Sequence, residues 1–310
     1  MQSSATPSSL PSLPLAAWED SKMTLHLILQ IIGKVKLQLM PRKNHWWYIT
    51  EHVSAKGFST RSIPFEQEVF EVNLNIKDSR VEIISSWADD VQIPLKDGMT
   101  IGEFYQLFCM HLQEIGVEVD IIPRPFDLPI KESFDKIKQY HHWDIDYIRR
   151  FWKIMLWVDG VFKEFSGRYY GKSCPVHIYW HHMDLTVTRF SGKKAPAMDA
   201  EASVVEKDAY SHEVISFGFW AGDENTPAPA FYSYTYPSPE GLDREKLRPS
   251  TAQWIDANGS PMALLMYDDI RELEDPKAAL LSFLESAYQA GAKRAHWDVE
   301  ELSVPQLDQM

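Results

Sequence analysis

Five histidines stand on or beside segments that the sequence predicts as strands: His45, His177, His181, His182 and His212, the last of which precedes Glu213. Histidine binds metals and transfers protons near neutral pH. Imidazole and carboxylate together suit Zn, Fe or Mn, and three such ligands with one open position suit catalysis. A divalent metal held by His45, His177 and His212 is therefore one candidate cofactor, with Glu213 as a candidate catalytic carboxylate.

A structural role is the competing interpretation of these histidines. A buried neutral imidazole needs partners for its ring nitrogens, and a carboxylate or backbone carbonyl serves as well as a metal. His212 and Glu213 would also point to opposite faces of a regular strand, unless a bulge intervenes. We predict that His177 lies at a pocket floor with His212 or Glu213 in range, and that Asp184 is exposed to solvent.

Arg189 is the second candidate catalytic or anion-binding side chain. It stands in the segment TRFSG beside Ser191-Gly192. A guanidinium in this position could hold a carboxylate or phosphate through two parallel hydrogen bonds. The alternative is an ordinary ion pair in an acid-rich protein.

Three tyrosines alternate along the segment FYSYTYP and therefore share one face of a predicted strand. Tyr232 and Tyr234, together with Trp180, are candidate ligand-binding residues, and Tyr236, Phe217 and Trp220 extend the same aromatic set. Such rings wall pockets for planar or apolar ligands, although ordinary sheet packing explains them equally well.

The elements that must position these residues occur in a repeated order. Residues 21–40 form an amphipathic helix pattern, and strand patterns follow at 45–55, 69–76, 80–85, 91–95 and 117–122, with a capped helix at 100–116. After a helix that begins at Asp144, strand patterns recur at 176–190, 214–220, 231–236 and 262–266, before a last helix that begins at 275. This order predicts an α+β fold of two related helix–antiparallel sheet–helix units.

An internal duplication would explain this order. Residues 45–60 align without a gap on 177–192, which places His45 opposite His177, and 100–116 align on 275–291. Few residues are identical, so chance likeness is the alternative. The predicted division is a disordered leader (1–17), a first unit (18–125), a connector (126–143), a second unit (144–300) and a tail (301–310).

The composition of the chain limits which partners and which cellular locations are expected. The net charge of −13 argues against broad binding to nucleic acid, and no apolar run is long enough for a membrane span. Cys109 and Cys174 make no disulfide framework, and the first residues lack a basic signal-peptide start, so we predict a cytoplasmic protein. The chain also lacks the HExxH, CxxC, GxSxG and glycine-rich phosphate-loop motifs.

Four short motifs mark a resemblance to a known family. They are NHWW at 44–47, SCPVH at 173–177, TRFSG at 188–192 and YSHE at 210–213. With them the chain resembles a bacterial family known only as a domain of unknown function, over nearly its whole length after the leader. The resemblance implies no activity, and His181-His182 lies outside the shared pattern.

Two functions of different classes fit these observations. The first is a small-molecule enzyme or ligand-binding protein, assisted by a metal or not, whose histidine and aromatic pocket lies between the two units. The alternative is a noncatalytic interaction protein, whose aromatic surface binds another chain or forms a homo-oligomer.

Overall fold

The framework consists of two antiparallel sheets of six strands each. The structure is a computed structural model and describes residues 10–305. The N-terminal sheet contains β1 (His52–Val53), β2 (Gly57–Ser59), β3 (Ile63–Phe65), β4 (Glu68–Asn75), β5 (Arg80–Ser85) and β6 (Val91–Pro94). Its order is β1-β2-β4-β5-β6, with β3 paired to β4. Apolar residues alternate along β4, so that Phe70, Val72 and Leu74 lie on one face of the strand and are buried.

The C-terminal sheet has the order β11-β12-β10-β9-β8-β7. Its strands are β7 (His177–Tyr179), β8 (Asp184–Lys194), β9 (His212–Trp220), β10 (Ala230–Tyr236), β11 (Gln253–Ala257) and β12 (Ser260–Met266). The chain therefore runs as a meander from β7 to β10, and β12 then pairs with β10 while β11 forms the edge.

The helices are α1 (Glu19–Leu39), α2 (Ile101–Glu114), α3 (Ile145–Gly167), α4 (Val204–Ala209) and α5 (Pro276–Arg294). Thr100 and Glu103 form a reciprocal capping box at the start of α2, and Asp144 and Asp275 cap α3 and α5 through their side chains. The predicted α+β class is confirmed. No helix within residues 10–305 is long and apolar enough to cross a membrane.

Two backbone hydrogen bonds join the sheets edge to edge. The amide of Glu51 donates to the carbonyl of Ile178 over 2.9 Å, and the amide of Ile178 donates back to Glu51 over 2.8 Å. Because residues that are paired across an antiparallel bridge share a face, His52 lies on the same side as His177.

One layer of helices covers both sheets from the same side. The α3 residue Phe151 packs against Phe58 of the N-terminal sheet, and Phe165, further along α3, packs against Phe217 of the C-terminal sheet. Gly291 of α5 lies against Ile215 and Thr235. We call this helix-covered side the inner face and the opposite side the outer face.

Several local predictions were wrong. Residues 10–17 are not disordered, since Leu13 and Leu15 are buried; residues 1–9 and 306–310 lie outside the described chain. The segment predicted as a strand at 45–55 begins as a 3₁₀ turn, Asn44–Ile49, and only His52–Val53 forms a strand. The predicted strand 176–190 is interrupted by a turn at 180–183, where Met183 adopts a left-handed backbone, and 117–122 is not a strand.

These differences bear on the proposed duplication. The capped helices α2 and α5 occur where the repeat places them. His45 and His177 are not equivalent, because the first stands in a 3₁₀ turn and the second begins a strand. The duplication and the division into two units remain predictions, and buried residues from both sheets form one continuous hydrophobic core.

The close approach of α1 to the turn after β7 gives a stability prediction. A Cβ atom on Gly33 would lie 2.1 Å from the buried Trp180 side chain, whereas one on Gly160, in α3, would meet nothing within 4 Å. We expect Gly33→Ala to lower the free energy of unfolding by about 1–3 kcal/mol through overpacking. We expect Gly160→Ala to raise it by up to about 1 kcal/mol. Urea denaturation measures both, and two shifts of the same sign would contradict this packing.

Candidate functional site

The three histidines that were predicted to share a metal lie in two places. The rings of His45 and His212 are 5.4 Å apart, whereas the ring of His177 packs 4.8 Å from that of Tyr179. In the described part of the chain, no group of three or more His, Cys, Asp or Glu side chains could hold a metal ion. The structure therefore does not bring His45, His177 and His212 together as one ligand set.

His45 instead anchors a segment that lies over the outer face. His45 and Trp46 both adopt left-handed backbone angles (φ 57° and 58°), which are strained for residues other than glycine. This bend lets the His45 Nδ1 donate to the carbonyl of Ala209 over 3.1 Å, and the Trp46 indole donate to Val205 over 3.1 Å. We call residues 203–211 the cover segment.

Glu213 and His212 do not approach His177 as predicted. A bulge in β8 between Phe190 and Lys194 lets the Ser191 hydroxyl donate to Glu213 over 2.7 Å. The His212 ring pairs with the Ser211 hydroxyl. Among residues 10–305, no side-chain hydrogen bond links His177 to either of them.

Arg189 lies in the core, on the inner face, and is neither a surface ion pair nor part of the tyrosine surface. It is 1% exposed, and its guanidinium lies 3.6 Å from the Phe165 ring centre and 4.3 Å from that of Tyr288. It donates to the carbonyl of Phe165 near the end of α3, where the helix dipole favours a cation. Burial lowers its pKa to about 10. Arg189 therefore ties β8 to α3 and α5.

The predicted tyrosines do share one face, which is the outer one. The Tyr232 and Tyr234 rings are nearly parallel, with centres 6.2 Å apart, and Trp220 lies 5.2 Å from Tyr232. The other predicted wall residues lie elsewhere: Phe217 faces α3, and Trp180 packs on Gly33 of α1.

A glycine allows Tyr232 to reach a carboxyl two strands away. The Tyr232 ring lies across Gly218 of β9, where a Cβ would come within 2.1 Å of it. The Tyr232 hydroxyl thereby donates to Asp184 of β8 over 2.5 Å. Asp184 is 9% exposed, so the prediction that it faces solvent was wrong. Burial raises the pKa of this carboxyl, and it also raises the pKa of Tyr232 and Tyr234 well above the ordinary phenol value.

Many buried polar atoms near these tyrosines lack hydrogen-bond partners. Those that find none within residues 10–305 are called unpartnered atoms below. Seven of them lie on the outer face or in the segments over it: His45 Nε2, His52 Nδ1, His177 Nε2, Asp184 Oδ1, Thr186 Oγ1, Asp208 Oδ2 and Trp220 Nε1.

Strand pairing brings these atoms close together. His177 pairs with Thr186, Thr186 with Gly218, and Gly218 with Tyr232, which makes one row across four strands. The next row begins with Tyr179 opposite Asp184. We call His52, His177, Asp184, Thr186 and Trp220 the polar strip. Sequence reasoning found only His177 and Trp220 of this set, although Asp184, Thr186 and Thr188 alternate with apolar residues along one strand.

A second unusual cluster lies on the inner side of the junction between the sheets. Glu51 is 1% exposed, and neither of its carboxylate oxygens has a partner in the described chain. The nearby Lys36 ammonium donates to the carbonyls of Thr50 and Thr60. Burial raises the pKa of Glu51 to about 8 and lowers that of Lys36 to about 8. On the outer side of the same junction, burial lowers the pKa of His52 and of His177 to about 3, so both rings are neutral.

A cleft of about 550 Å³ lies away from both clusters, between the start of α1 and the start of α3. It includes none of the predicted site residues. Its His142 lies 3.9 Å from Asp20 and 3.7 Å from Asp97, and both carboxylates are more than two thirds exposed. Such exposed pairs are typical of a solvated surface.

Comparison with known proteins places the chain in a family. A model of a family of unknown function, DUF5996, matches residues 10–304. The chain belongs to this family. No curated protein and no solved structure matches it. The resemblance seen in the sequence is confirmed, and it brings no activity with it.

The buried Glu51 gives a prediction for the pH dependence of stability. Its pKa is about 8 in the folded protein and 4.5 ordinarily. The folded state therefore binds the Glu51 proton more tightly than the unfolded state does. The stabilisation that the protonated carboxyl gives the folded state is fully present below pH 4.5 and is lost as the pH rises to about 8. We expect wild type to lose stability relative to Glu51→Gln over this interval, by on the order of a few kcal/mol. Urea denaturation of both proteins at several pH values measures the difference, and a constant difference would contradict the burial of an unpaired carboxyl.

Proposed function

We propose that this protein binds a small molecule on the outer face of the C-terminal sheet, in contact with the polar strip. One observation supports the proposal above all, the gathering of seven unpartnered atoms on this side of the sheet. In folded proteins roughly 90% or more of buried polar groups have partners. Leaving one unpaired costs about 1–3 kcal/mol. A ligand that pairs with several of these atoms recovers this free energy on binding.

The rings beside the strip suit the flat or apolar part of such a ligand. Tyr232, Tyr234 and Trp220 are each partly exposed, and the two tyrosine rings are parallel to within 7°. Apolar surface with a few polar groups pointing to one place is the usual composition of a small-molecule site. The cover segment borders the site through Tyr210, whose ring lies 6.3 Å from that of Tyr234.

Asp184 gives this site the capacity for acid–base chemistry. Because burial raises its pKa, the carboxyl holds a proton closer to neutral pH than a free aspartate does. The nearby Cys174 is not a suitable nucleophile, since burial raises the pKa of its thiol to about 12. The arrangement thus suits a binding protein, or an enzyme with a proton-transfer step at Asp184.

The interaction-protein hypothesis concerns the same aromatic surface. The burial of the unpartnered atoms favours a small ligand, because a flat protein surface would not reach buried atoms. Binding of a second chain, homo-oligomer formation and a cytoplasmic location remain predictions.

Two matched variants on β8 test the proposal. The Thr186 hydroxyl is unpartnered, whereas the Thr188 hydroxyl pairs with that of Ser216 over 2.8 Å. We expect Thr186→Val to leave the free energy of unfolding unchanged or higher, because valine keeps the shape and removes an unpaired group. We expect Thr188→Val to lower it by about 1 kcal/mol, because a formed hydrogen bond is lost.

The same Thr186→Val protein should lose ligand binding. A panel of sugars, amino acids, nucleosides and alkyl amines, monitored by saturation-transfer NMR, identifies compounds that bind wild type. We expect Thr186→Val to weaken such binding by about tenfold. If Thr186→Val unfolds more easily than wild type, the hydroxyl serves the fold, and an unchanged binding profile would equally contradict the proposal.

A further inference from the structure

Three of the seven unpartnered atoms of the outer face are hydrogen-bond acceptors, one on His45 and two on carboxylates. The His45 Nδ1 lies 3.1 Å from the carbonyl oxygen of Ala209, which can only accept, so Nδ1 carries the hydrogen and Nε2 is an acceptor. The roles of the unpartnered ring nitrogens of His52 and His177 depend on the tautomer of each ring. In the carboxylate form, Asp184 and Asp208 contribute two further acceptor oxygens.

Donors are scarce on the same side. Trp220 Nε1 is the sole obligatory donor among the seven atoms, whereas the Thr186 hydroxyl and the ring nitrogens of His52 and His177 can act in either way. A complementary ligand therefore carries several N–H or O–H groups. This requirement fits amines and polyols, and it disfavours carboxylates and phosphates.

Charge separates these two classes of ligand. Within residues 10–305, no lysine, arginine or histidine nitrogen lies within 4 Å of the Asp184 carboxylate. Asp208 has only a distant pair, 3.7 Å from the mostly exposed Arg42. A buried carboxylate is costly unless a cation pairs with it. A polyol would leave the carboxylate form of Asp184 uncompensated, whereas an ammonium group carries the missing positive charge and so favours that form.

The aromatic rings favour the same class. Tyr232 bonds Asp184, the Trp220 and Tyr234 rings lie 5.2 Å and 6.2 Å from the Tyr232 ring, and the faces of such rings attract ammonium groups. The net charge of −13 also draws cations toward the protein at low salt.

We infer that the ligand of the outer face is an alkyl amine, whose ammonium group pairs with Asp184 and donates to the acceptors of the polar strip. The inference rests on the proposed function of this site and names the class of its ligand. Asp184 acts as the counter-ion, Tyr232 holds one carboxylate oxygen in place, and the rings cover the alkyl chain.

Titration calorimetry with two probes of equal length tests the inference. 1,4-Diaminobutane carries two ammonium groups, and 1,4-butanediol is its neutral counterpart. We expect the diamine to bind wild type and the diol not to bind. Asp184→Asn should weaken diamine binding at least tenfold. Asp208→Asn, a change in α4 and not in the sheet, should weaken it to a smaller extent. Glu240→Gln, a change of an exposed carboxylate outside the site, should leave it unchanged.

The outcomes distinguish this inference from the proposal beneath it. The inference is overturned if the diamine does not bind, if the diol or glucose binds equally well, or if Asp184→Asn and Asp208→Asn both bind the diamine like wild type. Binding of a sugar or another neutral compound that depends on Thr186 would leave the proposed site intact. If no compound of any class shows binding that depends on Thr186, the proposed function fails as well.

Discussion

The edge-to-edge hydrogen bonds between Glu51 and Ile178 determine how the rest of the molecule is arranged. They make the two sheets present their inner faces to one layer of helices, so that α3 packs on both. They also place His52 beside His177 on the outer side and Glu51 beside Lys36 on the inner side. A local pairing of two residues thus creates two clusters of ionisable groups on opposite sides of one junction.

The outer face of the C-terminal sheet differs from the inner face in what it buries. On the inner face the buried cation Arg189 has aromatic rings and a helix-end carbonyl as partners, and only its Nε is unpartnered. On the outer face, Asp184, Thr186 and His177 are buried with unpartnered atoms. Such groups lower stability unless something pairs with them, so a protein that keeps them together is expected to use them. The strained His45–Trp46 bend and the cover segment lie at the border of this face.

Local patterns in the sequence predicted much of the fold. The capping residues Thr100, Asp144 and Asp275 mark real helix starts, and the hairpin of β4 and β5 lies where alternation placed it. The shared face of Tyr232 and Tyr234 also follows from alternation within one strand. Two breaks were not predictable from such patterns, because they depend on left-handed backbone at His45, Trp46 and Met183, which is uncommon at any residue other than glycine.

The candidate site could be predicted only in part. His177, Tyr232, Tyr234 and Trp220 were found from residue type and spacing. Glu51, His52 and Thr186 were missed, because their surroundings depend on the pairing of β1 with β7, which are far apart in the chain. Asp184 was assigned to solvent because the turn at 180–183, which changes the register of alternation, was not foreseen. Arg189 was predicted to bind an anion because its aromatic neighbours, Phe165 and Tyr288, come from α3 and α5 and are not visible in the sequence around it.

The central claim is that the unpartnered atoms of the polar strip contact a molecule from outside the chain. The most direct measurement is a crystal structure of the full chain, prepared without denaturation, in which ordered waters and small ligands are visible. We predict density for a bound molecule, or for ordered waters in its place, within hydrogen-bond distance of Asp184 Oδ1, Thr186 Oγ1 and Trp220 Nε1. Rotated side chains that pair these three atoms with one another or with the backbone, and leave no room between the rings, would contradict it.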